Sequence, residues 1–339
     1  MNDIDAIRAA LDTGIVVETS GSTSRPKRVQ LSAAALRASA EATAEVLGTG
    51  GWVLALPLSY IAGIMVVVRS LVSGTPLIDA RHEPFDARSF MDIIQNLPAG
   101  TWFTSLVPAQ LVRLLDFAEG AVTARDALRR FDRILVGGQA IPAGVVDRAA
   151  ALGIRITRTY GSAETAGGVV YDGHPIGDTV VRIDEDGRIA ISTSSLADGY
   201  DGDHALTSEN FIVDDDGRRW WRTTDLGSLE NGVLTVEGRA DDVIVTGGIK
   251  VSLGDVDRVL AAAGIDAVAT WFPDDTWGQV PAVVSTTELD RTEIRTLIER
   301  ELSREARPYR FVTVTEFPRL SSGKVDRRAL RELVAAAES

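Results

Sequence analysis

Ile15-Val16-Val17-Glu18-Thr19-Ser20-Gly21-Ser22-Thr23-Ser24-Arg25-Pro26-Lys27 reads as a short buried strand that runs into a loop of hydroxyls, one glycine and a lysine. Beyond it, Ser32 is a good N-cap for an alanine-rich helix reaching about Leu47. A strand, a hydroxyl-rich loop and a helix form an arrangement that holds phosphate. Backbone N–H groups and hydroxyls donate, Gly21 permits close approach, and Lys27 adds a point charge. The spacing excludes a Walker A loop, which requires glycine directly before its Lys-Ser/Thr. Taken alone, the stretch reads equally as a polar surface connector.

Lysine usage strengthens the phosphate reading. Of 35 basic residues only three are lysine, namely Lys27, Lys250 and Lys324. A compact ammonium on a slim stem enters crowded polar sites that the wide guanidinium fork cannot. Each lysine lies in a glycine- or proline-marked loop: Arg25-Pro26-Lys27, Gly247-Gly248-Ile249-Lys250 and Ser321-Ser322-Gly323-Lys324.

The totals narrow the classes. A chain of 339 residues with 45% hydrophobic content can fill two cores. A net charge of −13 argues against a nucleic-acid partner. The absence of cysteine excludes disulfides and thiol chemistry, and three scattered histidines make a zinc site unexpected. Met1-Asn2-Asp3-Ile4-Asp5 lacks the signal-peptide pattern, and the apolar run Ile61 to Val68 is too short to span a bilayer. A cytoplasmic protein acting on small molecules, without membrane insertion, is expected; a homodimer is left open.

Along the chain, strands expected at Trp52–Pro57, Leu77–Ile78, Thr101–Leu106, 133–138 and Ile154–Thr159 alternate with helices opened by Asp86, Pro108 and Pro142. Such alternation implies a mainly parallel sheet covered by helices. From about residue 175 the pairs Asp186-Gly187, Asp216-Gly217 and Asn231-Gly232 signal hairpins. The fold class is therefore α/β. A large N-terminal domain, 1–240, joins a mainly parallel sheet to a small antiparallel barrel or sheet. A small mobile α+β domain, 241–339, follows the charged junction Gly238-Arg239-Ala240-Asp241-Asp242.

With these pieces in place, the chain resembles the adenylate-forming superfamily of acyl-CoA synthetases, luciferases and peptide-synthetase adenylation domains. Thr19, Ser20, Gly21, Ser22, Thr23 and Lys27 match its phosphate loop, with Ser24 where glycine is usual. Gly137-Gly138-Gln139-Ala140 resembles the segment lining the acyl and adenine pockets. Tyr160-Gly161-Ser162-Ala163-Glu164 is similar to the Tyr-Gly-x-Thr-Glu motif, and Trp221-Arg222-Thr223-Thr224-Asp225 to the Arg-Thr-Gly-Asp motif. Gly238 to Asp242 matches the hinge, Gly247-Gly248 with Lys250 the loop of the swinging domain, and Gly323-Lys324 its terminal lysine motif. The helix segment Ser105 to Leu115 and the short region before the phosphate loop resemble the actinobacterial o-succinylbenzoate–CoA ligases of menaquinone synthesis.

The resemblance implies an AMP-forming ligase that uses ATP, Mg²⁺ and CoA. Glu164 is then the Mg²⁺ ligand, Asp225 and Arg239 hold the ribose, Tyr160 lies along the adenine, and Lys324 serves adenylation. Asp241 is then the hinge about which the last domain turns. Ala163 replaces the usual threonine, with Thr165 or Ser162 as substitute donors, and Tyr60 stands where many relatives have histidine. For the second carboxylate of o-succinylbenzoate, Arg158, Gln110 and Ser105 are candidates, and each fits a structural role as well. Two alternatives stand beside this reading: another aryl- or acyl-CoA ligase, and a catalytically silent nucleotide-binding protein marked by Ala163. A peptide-synthetase adenylation domain is disfavoured, because no carrier segment is expected after Lys324.

Overall fold

A computed structural model describes residues 3–19, 27–139, 141, 143–319 and 325–337. At its centre a seven-stranded sheet runs, edge to edge, Leu77–Asp79, Gly51–Leu54, Trp102–Leu106, Phe131–Val136, Ile156–Ser162, Gly167–Tyr171 and His174–Pro175. The first five strands are mutually parallel and the last two antiparallel. In the central sheet antiparallel pairing therefore begins with the strand after Ser162, earlier than the residue-175 boundary expected from the turn pairs. The cause is the tight Ala163–Thr165 turn, which reverses the chain.

Successive side chains on a strand point to opposite faces, so the central sheet feeds two cores. Trp52, Leu54, Phe103 and Leu135 join the core beneath helices Ala33–Leu47 and Ile61–Ser73. Val53, Trp102, Ile134 and Val136 join the other, beneath helices Ala87–Gln95, Pro108–Gly120 and Val122–Arg129. Ser32 caps helix Ala33–Leu47 by accepting from Ala35 N at 3.1 Å. Asp86 likewise accepts from Arg88 N and Ser89 N.

The opening loop departs from the strand–loop–helix expectation. Strand Ile15–Thr19 returns as a second strand, Lys27–Leu31, with Thr19 opposite Lys27. Val29 and Leu31 are fully buried while Arg28 and Gln30 face out, a period of two that specifies a strand. The strands on either side of residues 20–26 are thus antiparallel partners, and helix Ala33–Leu47 follows the second of them. Gly199–Tyr200 completes this small sheet against Lys27–Leu31.

All three Asx-Gly hairpins form, joining strands Val180–Ile183 to Arg188–Ser192, Phe211–Val213 to Arg219–Glu230, and Arg219–Glu230 to Val233–Arg239. These five strands make the expected antiparallel sheet. After the short 3₁₀ turn Ala240–Asp242, a separate five-stranded sheet is built from Val243–Thr246, Ile249–Ser252, Ala267–Asp274, Gly278–Ser285 and Arg310–Thr313. Its helices are Leu253–Ala262, Arg291–Glu301 and Arg327–Ala336. The buried apolar residues segregate: the two large cores contain nothing beyond Leu234, and the two small ones nothing before Ile244.

Candidate active site

The strand Ile156–Ser162 and the turn after it supply the centre of the site. At Gly161 the backbone passes so close to its neighbour that a Cβ would lie 2.0 Å from the Gly167 carbonyl oxygen, so only glycine fits. Ser162 then caps the turn. Its Oγ accepts from Glu164 N at 3.0 Å and donates to Glu164 Oε2 at 2.8 Å. Glu164 is buried, and its other oxygen, Oε1, accepts from the Tyr200 hydroxyl at 2.9 Å. Thr165, wholly buried, spends its hydroxyl on Gly167 O at 2.7 Å and accepts from Ser162 N. Of the two substitutes for the missing Ala163 hydroxyl, Thr165 is thereby consumed by the turn.

Two residues before Ser162, the Tyr160 hydroxyl donates to Asp225 Oδ2 at 2.8 Å, joining motifs far apart in sequence. Asp225 lies opposite Arg239 in the hairpin Arg219–Glu230 and Val233–Arg239, and Arg239 Nη1 approaches its Oδ1 at 3.6 Å. Thr223, buried beneath, accepts from Asp225 N at 2.9 Å. Burial pushes the Tyr160 phenol well above its ordinary value of 10.0, with the Asp225 charge adding to the effect. Arg239 is held charged even more firmly than usual, first by its bonds to Asp241 and then by the acidic groups around it.

Lys27, at the start of its strand, holds its ammonium 5.4 Å from the centre of the Tyr200 ring. Thr19 ends the facing strand, its Oγ1 3.4 Å from Lys27 O. Gly138 adopts φ 85° just past the strand Phe131–Val136. Beside it, Gln139 Nε2 is buried with no hydrogen-bond partner among the described residues, as is Trp221 Nε1. The buried amide donor of Gln139, at a motif position and lacking an acceptor, suits a site that takes a polar ligand.

Gly248, with φ 84°, forms the turn between strands Val243–Thr246 and Ile249–Ser252, and Lys250 is exposed on the latter. Ser20, Gly21, Ser22, Thr23, Ser24, Ala140, Pro142 and Lys324 lie outside the described residues. Val325, next to Lys324, bridges Arg319. Among the described residues no three His, Cys, Asp or Glu gather as a metal cluster. Magnesium needs none: it characteristically takes one or two carboxylates and completes its shell with phosphate oxygens and water. Glu164, alone and aligned by two hydroxyls, fits that pattern.

The candidates for a second carboxylate fare unequally. Arg158 is exposed and pairs with Asp172 at 3.1 Å. Gln110 is a helix cap, accepting from Val107 N and donating to Ala55 O. Ser105 is buried on the strand Trp102–Leu106. Arg69, which the sequence reading passed over, is 5% exposed, bonds Thr43 Oγ1 and lies 5.2 Å from the Trp52 ring. Among the described residues no carboxylate pairs with it. The signal was available, since Arg69 is the one charged residue of the apolar helix Ile61–Ser73. Tyr200 was missed because Gly199-Tyr200-Asp201-Gly202 reads as an ordinary polar turn.

The model of the AMP-binding enzyme family matches residues 7–200. A Mycobacterium tuberculosis protein named "Probable 2-succinylbenzoate--CoA ligase" is 40% identical over 94% of this chain and 84% of its own length. The 2-succinylbenzoate–CoA ligase of Escherichia coli is 30% identical over 93% of this chain and 68% of its own. Among solved structures, an Escherichia coli MenE variant with bound OSB-AMS aligns with a TM-score of 0.76 at 27% identity, covering 95% of this chain and 68% of that one. The o-succinylbenzoate CoA synthetase of Bacillus subtilis, in complex with the acyl-adenylate intermediate OSB-AMP, aligns at 0.78 and 25% identity over 93% of this chain and 68% of that one. The order of the motifs, the architecture and these likenesses agree: the chain belongs to the AMP-binding enzyme family, on the branch of the 2-succinylbenzoate–CoA ligases.

Proposed function

We propose that the chain is an ATP-dependent acid–CoA ligase that activates the succinyl carboxylate of o-succinylbenzoate and passes the acyl group to CoA. The observation that supports this most is the joining of Tyr160 to Asp225 and of Ser162 to Glu164. The end of strand Ile156–Ser162 is thereby tied to both an acceptor for sugar hydroxyls, Asp225, and a ligand for a hard cation, Glu164.

In the first step a carboxylate oxygen attacks the α-phosphorus of ATP, the bond to the bridging oxygen breaks, and pyrophosphate leaves. Catalysis of such a transfer is mostly positioning and charge neutralisation. Asp225, steadied by Tyr160 and Arg239, accepts from the ribose hydroxyls. Glu164 holds magnesium, which neutralises phosphate charge when bound. Lys27 and the hydroxyls of the phosphate loop hold the β- and γ-phosphates, and Lys324 approaches the reacting oxygens. In the second step the CoA sulfur attacks the acyl carbon and AMP leaves, its carboxyl-bound oxygen departing with the phosphate.

The ring carboxylate of o-succinylbenzoate needs a cation, and Arg69 is our choice. A buried guanidinium without an acid costs several kcal/mol unless an anion reaches it, and its Nη2 would stand 3.8 Å from a Cβ at Gly167, close behind Glu164 in sequence. We further assign 1–240 as the core domain and 241–339 as a lid that turns about Asp241, in keeping with the segregated cores. Both nucleotide and CoA substrates are those of the cytoplasm, where we place the enzyme.

ATP–pyrophosphate exchange tests the assignment. Exchange should depend on o-succinylbenzoate, and a thioester should form once CoA is added. Exchange triggered equally by benzoate or a fatty acid would move the enzyme to another acyl-CoA ligase class, and no exchange with any acid would leave only nucleotide binding. Arg69→Gln should raise the KM for o-succinylbenzoate by at least about 10²-fold with KM for ATP unchanged, the scale for an unpaired buried group in a selective pocket.

A further inference from the structure

Tyr200 has a place in this site that neither its local sequence nor the motif set suggests. The two-residue strand Gly199–Tyr200 is stitched to the strand Lys27–Leu31. Tyr200 lies opposite Val29, Asp198 N donates to Gln30 O, Asp201 N donates to Arg28 O, and Arg28 pairs with Asp201 at 2.8 Å. The same segment also holds the metal-ligand turn: Ala197 N donates to Glu164 O at 2.8 Å, and the Tyr200 hydroxyl donates to Glu164 Oε1 at 2.9 Å. The ring is fixed edge-on to Phe211, with centroids 5.7 Å apart. Tyr200 N donates to Thr207 Oγ1. The side chain therefore has one conformation imposed from three directions.

Its two ends meet opposite charges. The hydroxyl faces the Glu164 carboxylate, and the ring face meets the Lys27 ammonium at 5.4 Å, within the range of cation–π attraction. At neutral pH a tyrosine hydroxyl carries its proton, and here it donates that proton to Glu164 Oε1 at 2.9 Å. That single proton is committed to Glu164, which leaves the phenol none to offer a phosphate. Lys27 and Glu164 themselves form no ion pair among the described residues. A flexible lysine free to reach Glu164 would neutralise the carboxylate needed for the metal, and lose its own charge for the phosphates.

We propose that Tyr200 is a positioning residue for adenylation: its hydroxyl aims Glu164 at the magnesium ion, and its ring holds Lys27 apart from Glu164 so that both charges serve the triphosphate. The inference rests on the assignment of Glu164 as the magnesium ligand, and the test separates the two. Mn²⁺ affinity would be measured by electron paramagnetic resonance on the full-length protein saturated with α,β-methylene-ATP, for wild type, Tyr200→Phe, Tyr200→Leu, Lys27→Ala and Glu164→Gln. Binding of the analogue without metal would be measured alongside.

Tyr200→Phe keeps the ring and should weaken Mn²⁺ roughly tenfold, the usual scale for losing a hydrogen bond to a metal ligand, while metal-free analogue binding stays constant. Tyr200→Leu should in addition weaken metal-free analogue binding by about threefold, the scale of one cation–π contact, and that extra loss should vanish in the Lys27→Ala background. Weak Mn²⁺ binding in Glu164→Gln but wild-type binding in Tyr200→Phe would overturn the role of Tyr200 alone. Wild-type binding in Glu164→Gln would overturn the assignment of Glu164 and the inference with it. Full additivity of Tyr200→Leu and Lys27→Ala would remove the lysine half. Should Tyr200→Leu fail to fold, Tyr200→Phe, which retains the packing against Phe211, decides the hydroxyl half, and the metal-free affinity of a Tyr200→His variant decides the other.

Discussion

Arg239 grips Asp241 through two parallel bonds, Nε to Oδ1 at 2.8 Å and Nη2 to Oδ2 at 2.9 Å, while its Nη1 stands 3.6 Å from Asp225. The residue at the junction of the two sheets is thus tied to the side chain proposed to hold the ribose. Any turn of the later segment about Asp241 must break or carry that pair.

The hinge can be tested by proline. Asp241 lies within the 3₁₀ turn Ala240–Asp242; residues of such turns generally have φ of about −50 to −70°, a range that proline at about −65° shares while excluding other conformers. Asp241→Pro should leave acyl-AMP formation within a few-fold and abolish thioester synthesis from supplied acyl-AMP and CoA. Asp241→Ala, which loses the same carboxylate but keeps a free φ, should retain both half-reactions. Identical behaviour of the two variants would take the hinge out of the mechanism.

Lys324 should matter for one half-reaction only. Loss of a preorganised charge contact costs about 10²- to 10³-fold, so Lys324→Ala should slow acyl-AMP formation by at least about 10²-fold and spare thioester formation from acyl-AMP. Single-turnover assays of each step check this; equal loss in both would defeat it.

A spectroscopic prediction follows from the buried phenol of Tyr160. Its folded-state pKa is raised above 10.0, so its contribution to stability is whole below that value and fades only as pH climbs through the higher, folded one. The stability gap between wild type and Tyr160→Phe should accordingly stay constant from neutral pH to about 10. Phenolate absorbance should show two tyrosines resisting ionisation, Tyr160 and Tyr200, of which one is missing in Tyr160→Phe and shifted to lower pH in Asp225→Asn. An unshifted titration in Asp225→Asn would contradict the bond between them.

Two glycines predict opposite signs of stability change. Gly161→Ala would drive a methyl into the Gly167 carbonyl and should cost at least about 1–3 kcal/mol. At Gly144, in helix Ala143–Ala151, a Cβ meets nothing within 4 Å, and Gly144→Ala should stabilise by about 0.4–1 kcal/mol. Urea unfolding of both variants measures the contrast.

What the sequence disclosed was what is encoded locally. Asp186-Gly187, Asp216-Gly217 and Asn231-Gly232 announced their hairpins because a tight turn demands positive φ where such residues stand. Asp86 and Ser32 announced helix starts for the same kind of reason. The strand Lys27–Leu31 was hidden, because Arg28 and Gln30 make it look polar and its partner strand lies across a loop. Tyr200 and Arg69 were hidden for a related reason: their importance lies in what they face, Glu164 and Lys27 for one and the absence of an acid for the other. Composition cannot report a neighbour across the fold.

The hairpin that carries Asp225 and Arg239 has one more consequence. Those residues are paired at its open end, whereas Asn231-Gly232 closes the other, with Glu230 opposite Val233. Five residue steps at about 3.3 Å each, from Asp225 to Glu230, set the tip roughly 17 Å from the side chains proposed to hold the ribose. Drift in the tip's length or composition leaves the spacing of Asp225 and Arg239 untouched, so the tip is free to diverge while the base is not. It is accordingly the natural place to graft a reporter: a fluorophore or short peptide there would travel with the hairpin without reaching Asp225 and Arg239.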